Sequence, residues 1–515
     1  MVIGSLQAMP AASTETDVER DARANDAAGS APDQGSIPVA GALAAILVVA
    51  AALRFYGLGD DSLWDNEILS VQRAKAPLSE VPALLRAGTH PPLYSQGVLR
   101  PVFILGQNEF VQRFPSAVFG VVTVAMTYVL TRRTFGWQAG LAAAALLAVL
   151  PLHVYYSREG RMYALLALLV TLWIASLLVA RRRNTRWAWA VYAVLGAGIL
   201  YTHYYAGLTI AAVLGVTGAT YLTTSSDTAT RRRWLVSSTV IGLLFLPWLP
   251  TFLHQLRNSS SNLPGRPIGE TPDLLTQFFT GFADVPAIVK TLVLVAITVL
   301  IVLLLGSVRR ASRTPDSDLF PVLVMIGAVV GTILLAVAVS LFKPILYVRY
   351  FAGVLPTFCV LLAAAAVGAR RRVVGWASYG VLFLVSVAFV IPVVTESWRP
   401  DFGGVIDRIV EVEPDAAVLL VAGPNRLETA LSGLDHYNGA RIPVQTIDIA
   451  GVDEGVADAI ADLSSDPSHV WLLQHQAIRR INAPDGFDVT FEERYDSHFF
   501  EYDFPMRLTL LESAP

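Results

Sequence analysis

The sequence contains few charged residues and almost no cysteine. Only 15% of its 515 residues are Asp, Glu, Lys or Arg, against about one quarter in soluble globular domains. The single cysteine, Cys359, excludes an intrachain disulfide. A formal net charge of −3 gives no electrostatic case for a nucleic-acid partner. A chain that is 54% apolar and so poor in charge is typical of an integral membrane protein.

The common cofactor motifs are missing as well. The sequence contains no P-loop, no dinucleotide-binding fingerprint and no zinc-type spacing of Cys and His. We therefore predict no metal site and no nucleotide-sugar or ATP site. No cofactor is assigned, and dependence on a divalent metal is left open.

The first 36 residues differ in composition from the rest. Residues 1–36 are rich in Ala, Asp, Ser and Gly and almost lack large apolar side chains, so we predict a disordered tail. They also lack the basic segment and small-residue cleavage site of a signal peptide. We expect the apolar run that follows them to be retained as a membrane anchor.

Apolar runs of about 20 residues, the length that crosses a bilayer, recur along the chain. Eleven are predicted, at 37–57, 112–131, 137–155, 161–180, 187–203, 204–222, 232–254, 285–306, 319–342, 348–368 and 373–394. A further apolar stretch, 91–106, contains Arg100, Gln96 and Gln107. Counting it as a twelfth span would reverse the orientation of everything after it.

Arginine clusters decide between these topologies, because cytoplasmic loops are enriched in Lys and Arg. With a cytoplasmic amino terminus and eleven spans, five clusters fall in the cytoplasm: 132–133, 181–183, 231–233, 309–310 and 370–372. With twelve spans, all five fall outside. We therefore predict a multi-pass protein of the plasma membrane, in which 91–106 lies as an amphipathic helix on the outer surface.

The predicted fold has two parts. Residues 37–394 form an all-α polytopic membrane domain, with external amphipathic helices in a first external loop at 58–111. After Val394, short β-like runs at 416–422, 444–449 and 470–473 alternate with helix-like ones. This alternation predicts a small α/β soluble domain at 395–515, outside the cell membrane.

Two polar stretches lie in the first loop. Asp65 and Glu67 follow the first span, and an external carboxylate can accept the proton of an acceptor hydroxyl; the alternative is a solvated acidic turn. In His90-Pro-Pro-Leu-Tyr94 the prolines fix an extended turn that presents His90 and Tyr94. A protonated imidazole suits a phosphate, and a helix-entry turn with an incidental histidine is the other interpretation.

Later turns between spans carry further polar and aromatic candidates. Interfacial Arg and Tyr commonly anchor helices, but a carboxylate and a guanidinium beside an apolar wall are costly unless they pair or bind something. The aromatic residues form either an interfacial belt or a wall that faces a sugar. The candidates in these turns are Glu159, Arg161, Tyr163, His203 and Tyr204.

Positive charge at the predicted outer end of two spans runs against the usual distribution of charge. Arg349, followed by Tyr350, is the clearest case. A lipid phosphate at the outer leaflet would explain it, because Arg can hold phosphate through two parallel hydrogen bonds.

Together these stretches resemble the GT-C class of polyprenyl-phosphate-sugar-dependent glycosyltransferases, which includes the protein O-mannosyltransferases and the lipid A aminoarabinose transferase. Trp398-Arg399-Pro-Asp401 also resembles that family's lead into a soluble tail. The matching pieces occur in the family's order across 37–394: Ser62-Leu-Trp64 with the acidic residues after it, 90–94, 109–113 with Phe-Pro-Ser116, 157–163, 201–205, and Arg349-Tyr350 with Pro356.

The resemblance implies a fold, a reaction and a site. The fold has a reaction chamber between the membrane and the external loops, and the donor's isoprenoid tail lies in the bilayer. The reaction moves a sugar, hexosyl or mannosyl in kind, from a polyprenyl (dolichyl or undecaprenyl) phosphate to a protein, lipid or glycan acceptor on the outer face, with inversion at the anomeric carbon. The acidic pair of the first loop, which here corresponds to Glu67 with its neighbours, would supply the base. His90 and Arg349 would hold the donor phosphate, and Arg113 lies in a matching stretch.

One departure from the family pattern concerns the base. The family usually has Trp, any residue, Asp and Glu, whereas this chain has Trp64-Asp65-Asn66-Glu67. Either Asp65 or Glu67 is then the base, or this member has lost activity and only binds polyprenyl phosphates. A lipid-linked sugar transporter is the third reading, but internal repeats and charged midplane helices, typical of transporters, are not visible in the sequence. We predict an active enzyme.

Overall fold

The computed structural model describes residues 36–223, 227–258, 268–314, 317–343, 345–397, 399–422, 427–438, 444–447, 460, 469–475, 483, 487–495, 498–499, 502–503 and 506–513. By backbone contacts the chain divides into two compact units, 1–45 and 46–515. All contacts reported below lie within 46–515. The predicted disordered tail falls, up to residue 35, outside the described residues.

Helices account for most of the described chain as far as residue 395. Their bounds are α1 Ser36–Phe55, α2 Asp65–Lys75, α3 Val81–Ala87, α4 Arg100–Val102, α5 Glu109–Phe135, α6 Trp137–Val149, α7 Pro151–Ser157, α8 Tyr163–Arg183, α9 Arg186–Leu200, α10 Ala206–Thr223, α11 Thr228–Phe245, α12 Leu249–Asn258, α13 Thr271–Thr280, α14 Ala287–Ala311, α15 Phe320–Ile326, α16 Thr332–Ser340, α17 Leu355–Gly368 and α18 Arg372–Thr395. Short π-helical turns occur at Ser95–Leu99 and Gly327–Gly331, and 3-10 turns at Leu246–Trp248, Ile268–Glu270 and Val348–Val354.

The polytopic helical membrane domain is confirmed, although the count of eleven spans is not. In the described ranges, nine helical segments are long and apolar enough to cross a membrane, or ten if a bent pair forms one span. That pair is α6 and α7, which replace the predicted run 137–155 and meet at 63°. The bend falls at Pro151, whose ring removes a backbone donor. The predicted run 187–203 corresponds to α9, which has only 15 residues.

The stretch 91–106 is helical over residues 93–102 and is not among the candidate spans. Hydrogen bonds attach its helical turns to α2 and to the residue that follows α2. Gln96 donates to the Arg73 carbonyl oxygen at 2.7 Å, and Arg100 donates to the Ala76 carbonyl oxygen at 2.9 Å. These contacts fix the stretch against the end of α2 within the first loop.

The predicted α/β part is present after residue 400. It contains α19 Phe402–Val412, α20 Leu427–Asn438 and the strands β1 Ala417–Ala422, β2 Val444–Ile447, β3 His469–His475, β4 Phe487–Tyr495, β5 His498–Phe499, β6 Tyr502–Asp503 and β7 Met506–Ser513. Five strands form one sheet in the order β2-β1-β3-β7-β4. β1 pairs in parallel with β2 and β3, whereas β7 pairs antiparallel with β3 and β4.

This α/β part shares a hydrophobic core with the first loop. Leu63, Ile68 and Val71 from α2 and its lead-in are buried in one cluster with Phe402 of α19 and Trp471 of β3. Two polar contacts add to it: Ser62 Oγ donates to Asp401 Oδ1 at 2.5 Å, and the backbone N–H of Leu63 donates to the Tyr437 hydroxyl at 2.6 Å. The soluble part therefore fixes the position of α2. The boundary between 37–394 and 395–515 stays a prediction.

Candidate functional site

A fully buried ion pair joins α2 to α5. Arg113 Nε lies 2.9 Å from Glu67 Oε1, and Arg113 Nη2 lies 2.8 Å from Oε2, so the guanidinium holds the carboxylate through two parallel hydrogen bonds. Both side chains have no exposed surface. Arg113 also donates to the carbonyl oxygens of Asp61 and Ser62, each at 2.8 Å. The pair thereby fixes the start of α2 against α5.

Two backbone groups complete the surroundings of the Glu67 carboxylate. The N–H of Gly160 donates to Oε1 at 2.7 Å, and the N–H of Trp64 at the start of α2 donates to Oε2 at 3.4 Å. Position 160 requires glycine, because an added Cβ would lie 2.9 Å from Gln112 Cγ. Burial by itself raises the pKa of Glu67, but the charges of Arg113 and Arg399 and these hydrogen bonds together lower it to about 2. Such a carboxylate stays ionised and is a weak proton acceptor.

Arg399 brings the segment before the α/β part into the same site. Its Nη1 lies 3.2 Å from Asp61 Oδ2, and its Nη2 donates to the Arg158 carbonyl oxygen at 2.9 Å. Its Nε lies 3.9 Å from Glu67 Oε2. A small cavity beside these groups is lined by Asp61, Tyr155, Arg158, Val393 and Arg399. The motif reasoning did not count Arg399 among the site residues, although the stretch 398–401 was the signal that could have found it.

Arg161 is buried between α2 and α5. Its Nη1 donates to the Asn66 carbonyl oxygen at 2.9 Å and to Ser70 Oγ at 2.6 Å. Its own carbonyl oxygen accepts from Ser116 Oγ at 3.0 Å, and the Tyr94 hydroxyl lies 2.8 Å from that same Oγ. The Pro-Pro turn, α2 and the 157–163 turn therefore meet at Arg161.

Glu159 lies at this junction without the contacts that Glu67 has. It has no exposed surface, and neither carboxylate oxygen has a hydrogen-bond partner among the described residues. Burial raises the pKa of Glu159, and so does the charge of Glu67; the positive charges of Arg161, Arg399 and Arg349 lower it again, for a net value of about 8. It is therefore a buried carboxyl group that titrates near neutral pH.

Four basic side chains surround His90 and together with it are here called the basic cluster: Arg73, His90, Arg161, His203 and Arg349. Burial, followed by the charges of the other four, lowers the pKa of His90 well below its usual range. Burial and the charges of Arg349 and Arg161 lower the pKa of His203 to about 3. Both imidazoles are thus neutral in the free protein, because positive charges already surround them.

Aromatic rings line the basic cluster on one side. The His203 ring centroid lies 5.8 Å from that of His90, 5.9 Å from that of Tyr163 and 5.4 Å from that of Tyr350. Tyr350 stacks on Tyr205 at 3.7 Å. Within the described chain, the Nδ1 atom of His203 has no hydrogen-bond partner. The arrangement is a buried group of imidazole and phenol rings.

The structure gathers most of the sequence candidates and separates one. Tyr204 is adjacent to His203 in sequence, but its hydroxyl bonds to Gln255 of α12 and accepts from Trp248 Nε1 at 2.8 Å. The side chain of Asp65 lies outside the described residues. Arg73 belongs to the basic cluster but was missed by sequence reasoning, since an Arg near the end of an amphipathic helix is an ordinary feature. Among the described residues, no group of three or more His, Cys, Asp or Glu side chains is placed to hold a metal ion.

Comparisons with known proteins concern the sequence family and the fold. Residues 89–250 match the family model of dolichyl-phosphate-mannose-protein mannosyltransferases. No curated protein matches the sequence. The fold is similar to that of ArnT from Cupriavidus metallidurans in the apo state, with a TM-score of 0.54 and 14% identity over 92% of this chain and 98% of that chain.

A second similar structure is the oligosaccharyltransferase of Archaeoglobus fulgidus. Its apo form gives a TM-score of 0.51 and 12% identity over 79% of this chain, which spans 64% of that longer chain. Its complex with an inhibitory peptide and a dolichol-phosphate gives a TM-score of 0.50 and 12% identity over 86% of this chain and 70% of that chain. At these identities the likeness establishes the fold. The chain therefore has the GT-C fold.

Proposed function

We propose that this protein transfers a sugar, hexosyl or mannosyl in kind, from a polyprenyl phosphate to a hydroxyl or amide group of a protein, lipid or glycan acceptor, with inversion at the anomeric carbon. The observation that carries the proposal is the basic cluster. Three arginines and two histidines converge, and their charges depress the pKa of both imidazoles. A phosphate would relieve this repulsion, and an isoprenoid tail could leave the cluster between the apolar helices of the membrane domain.

The positive charge of the basic cluster suits a phosphate leaving group. When the bond between the anomeric carbon and the phosphate oxygen breaks, negative charge builds on the phosphate, and preorganised positive charge stabilises it most at that moment. The guanidiniums of Arg73, Arg161 and Arg349 remain charged across the physiological range. The cluster can thus bind the donor and stabilise the departing polyprenyl phosphate.

Removing Arg349 should weaken donor binding. A charge-assisted contact to phosphate is worth roughly 1.5–3 kcal/mol, so Arg349→Ala should reduce affinity for a short-chain polyprenyl phosphate by about 10- to 150-fold at every pH. His90→Ala should reduce this affinity only at acid pH. The lowered pKa of His90 leaves its imidazole uncharged at neutral and higher pH. Affinities measured by calorimetry from about pH 5.5 to 8.5 separate the two contributions.

Lys75→Ala is the matched control for this experiment. Lys75 is exposed at the end of α2, and its charge is not among those that act on His90. Its removal should change affinity by less than about twofold, as expected for a screened surface charge. Equal effects of Lys75→Ala and Arg349→Ala would show that net charge, not the cluster, determines binding.

The proposed orientation places the site and residues 395–515 outside the membrane and the amino terminus in the cytoplasm. Its support is the position of the arginine clusters at the ends of helices such as α8 and α14. In a Cys359→Ser background, Glu411→Cys should react with a membrane-impermeant maleimide in intact cells. Arg182→Cys at the end of α8 should react only after permeabilisation. Both native residues are exposed, and the opposite labelling pattern would invert the topology and remove the site from the outer face.

The inactive relative is the second candidate, and Asn66 at the family's Asp position favours it. It would bind polyprenyl phosphate with the affinities above but release none from a sugar-charged donor. Purified protein, a polyprenyl-phosphate-linked hexose and a membrane extract from a deletion strain as acceptor source distinguish the two. Release of free polyprenyl phosphate that depends on the extract supports the transferase, and its absence supports the inactive relative.

A further inference from the structure

We propose that Glu159 is the proton acceptor of the reaction, in the role that the family pattern gives to the first-loop position occupied here by Asn66. This inference rests on the proposed function. The acceptor's oxygen bonds to the anomeric carbon while its proton passes to the Glu159 carboxylate. The bond between the anomeric carbon and the phosphate oxygen breaks at the same time, and the polyprenyl phosphate leaves with the electron pair.

The first argument is the difference between two neighbouring carboxylates. Glu67 accepts hydrogen bonds from Arg113, Gly160 and Trp64, so its lone pairs are already used and its position is fixed. Glu159 is equally buried, yet both its oxygens lack a hydrogen-bond partner in the described part of the chain. A buried polar group without a partner is rare and costly, and an acceptor hydroxyl would supply the missing contact.

The second argument is position. The turn that carries Glu159 also carries Arg161 of the basic cluster and Arg158, which lines the cavity shared with Arg399 and Asp61. The charges of Arg161 and Arg349 act both on Glu159 and on His90. Glu159 therefore lies in the turn that connects this small cavity to the cluster proposed to hold the donor phosphate.

The third argument is that the pKa of Glu159 suits a general base. A general base works best when its pKa is near the operating pH, and burial with the nearby charge of Glu67 raises the pKa of Glu159 to about 8. The charged groups that face it are Glu67, Arg161, Arg399 and Arg349. Its carboxylate form is the active one, so the rate should increase with pH up to about 8 and then level off.

The test compares Glu159→Gln, Glu159→Asp and Asp65→Asn in the extract-dependent release assay. Loss of a general base typically costs about 10²- to 10⁴-fold in rate, so Glu159→Gln should lose that much kcat while affinity for polyprenyl phosphate stays within about threefold of wild type. Glu159→Asp should recover part of the rate. The small residual rate of Glu159→Gln should no longer increase with pH between about 6 and 8.

Protein stability provides an independent control. Glutamine resembles the neutral form of the Glu159 carboxyl group. Because folding raises the pKa of this group to about 8, the folded protein loses stability as pH rises from the usual glutamate pKa toward 8. Glu159→Gln should therefore melt at or above the wild-type temperature at pH 8. A low rate in this variant would then not reflect misfolding.

Each outcome decides the assignment. If wild type transfers sugar and Glu159→Gln is as active, or if Asp65→Asn alone abolishes transfer, Glu159 is not the base and the proposed function still stands. If wild type binds polyprenyl phosphate but releases none from the charged donor, the proposed function fails and the base assignment fails with it.

Discussion

Replacing Glu67 with glutamine is expected to lower the free energy of unfolding by about 3–5 kcal/mol, because it leaves the Arg113 guanidinium buried without its charge partner. Neither side chain has exposed surface, and their nearest N–O distance is 2.8 Å. The effect can be measured as a decrease in melting temperature in detergent. Arg113→Met should destabilise similarly, whereas Glu67→Leu combined with Arg113→Met should recover much of the loss, since a paired removal leaves no isolated charge.

The control and the pH dependence make this prediction specific. Glu80→Gln removes an exposed carboxylate from the same loop and should change stability by less than about 0.5 kcal/mol. The folded-state pKa of Glu67 lies below the usual 4.5, at about 2. Its stabilising contribution is therefore complete above pH 4.5 and is lost as pH decreases toward 2. If Glu67→Gln were as stable as Glu80→Gln at neutral pH, the ion pair would not be the link between α2 and α5.

The second large effect is expected at Phe402, the first residue of α19. Phe402 is fully buried in the cluster that joins the α/β part to Leu63 and Ile68 of the first loop. Phe402→Ala should cost about 3–5 kcal/mol, the usual loss for a buried phenylalanine. Because the cluster is shared, hydrogen exchange should become faster in α2 as well as in residues 395–515.

Val412→Ala is the matched control on the same helix, since Val412 is 37% exposed. It should leave both exchange and melting nearly unchanged. Donor affinity adds a functional measurement: α2 carries Arg73, and the Asn66 carbonyl oxygen holds Arg161 at 2.9 Å. Faster exchange confined to 395–515, with α2 and donor affinity unaffected, would show that the soluble part does not support the site.

Local chemistry explains how far the motifs could predict the site. His90, Tyr94, Arg161, Tyr163, His203, Arg349 and Tyr350 occur at turns between apolar runs, where a polar side chain is conspicuous, and the structure gathers them. Tyr204 followed the same rule but turns toward Gln255 and Trp248. Neighbouring residues in a turn point in different directions, and only packing selects which one faces the site. Arg73 and Arg399 were missed because charge at a helix end or before a soluble domain is common.

The membrane class, the positions of nearly all the helices and the α/β character of the tail could be predicted from the amino-acid sequence. Hydropathy and periodicity are local properties, and bilayer thickness and strand geometry fix the lengths and spacings that reveal them. Which carboxylate is engaged in an ion pair became visible only in the folded chain. Glu67 and Glu159 are alike in sequence, but the first meets Arg113 of α5 and the second meets no hydrogen-bond partner among the described residues. Pairing depends on contacts between residues 46 positions apart, and the acidity of a buried group depends on every charge that the fold brings near it.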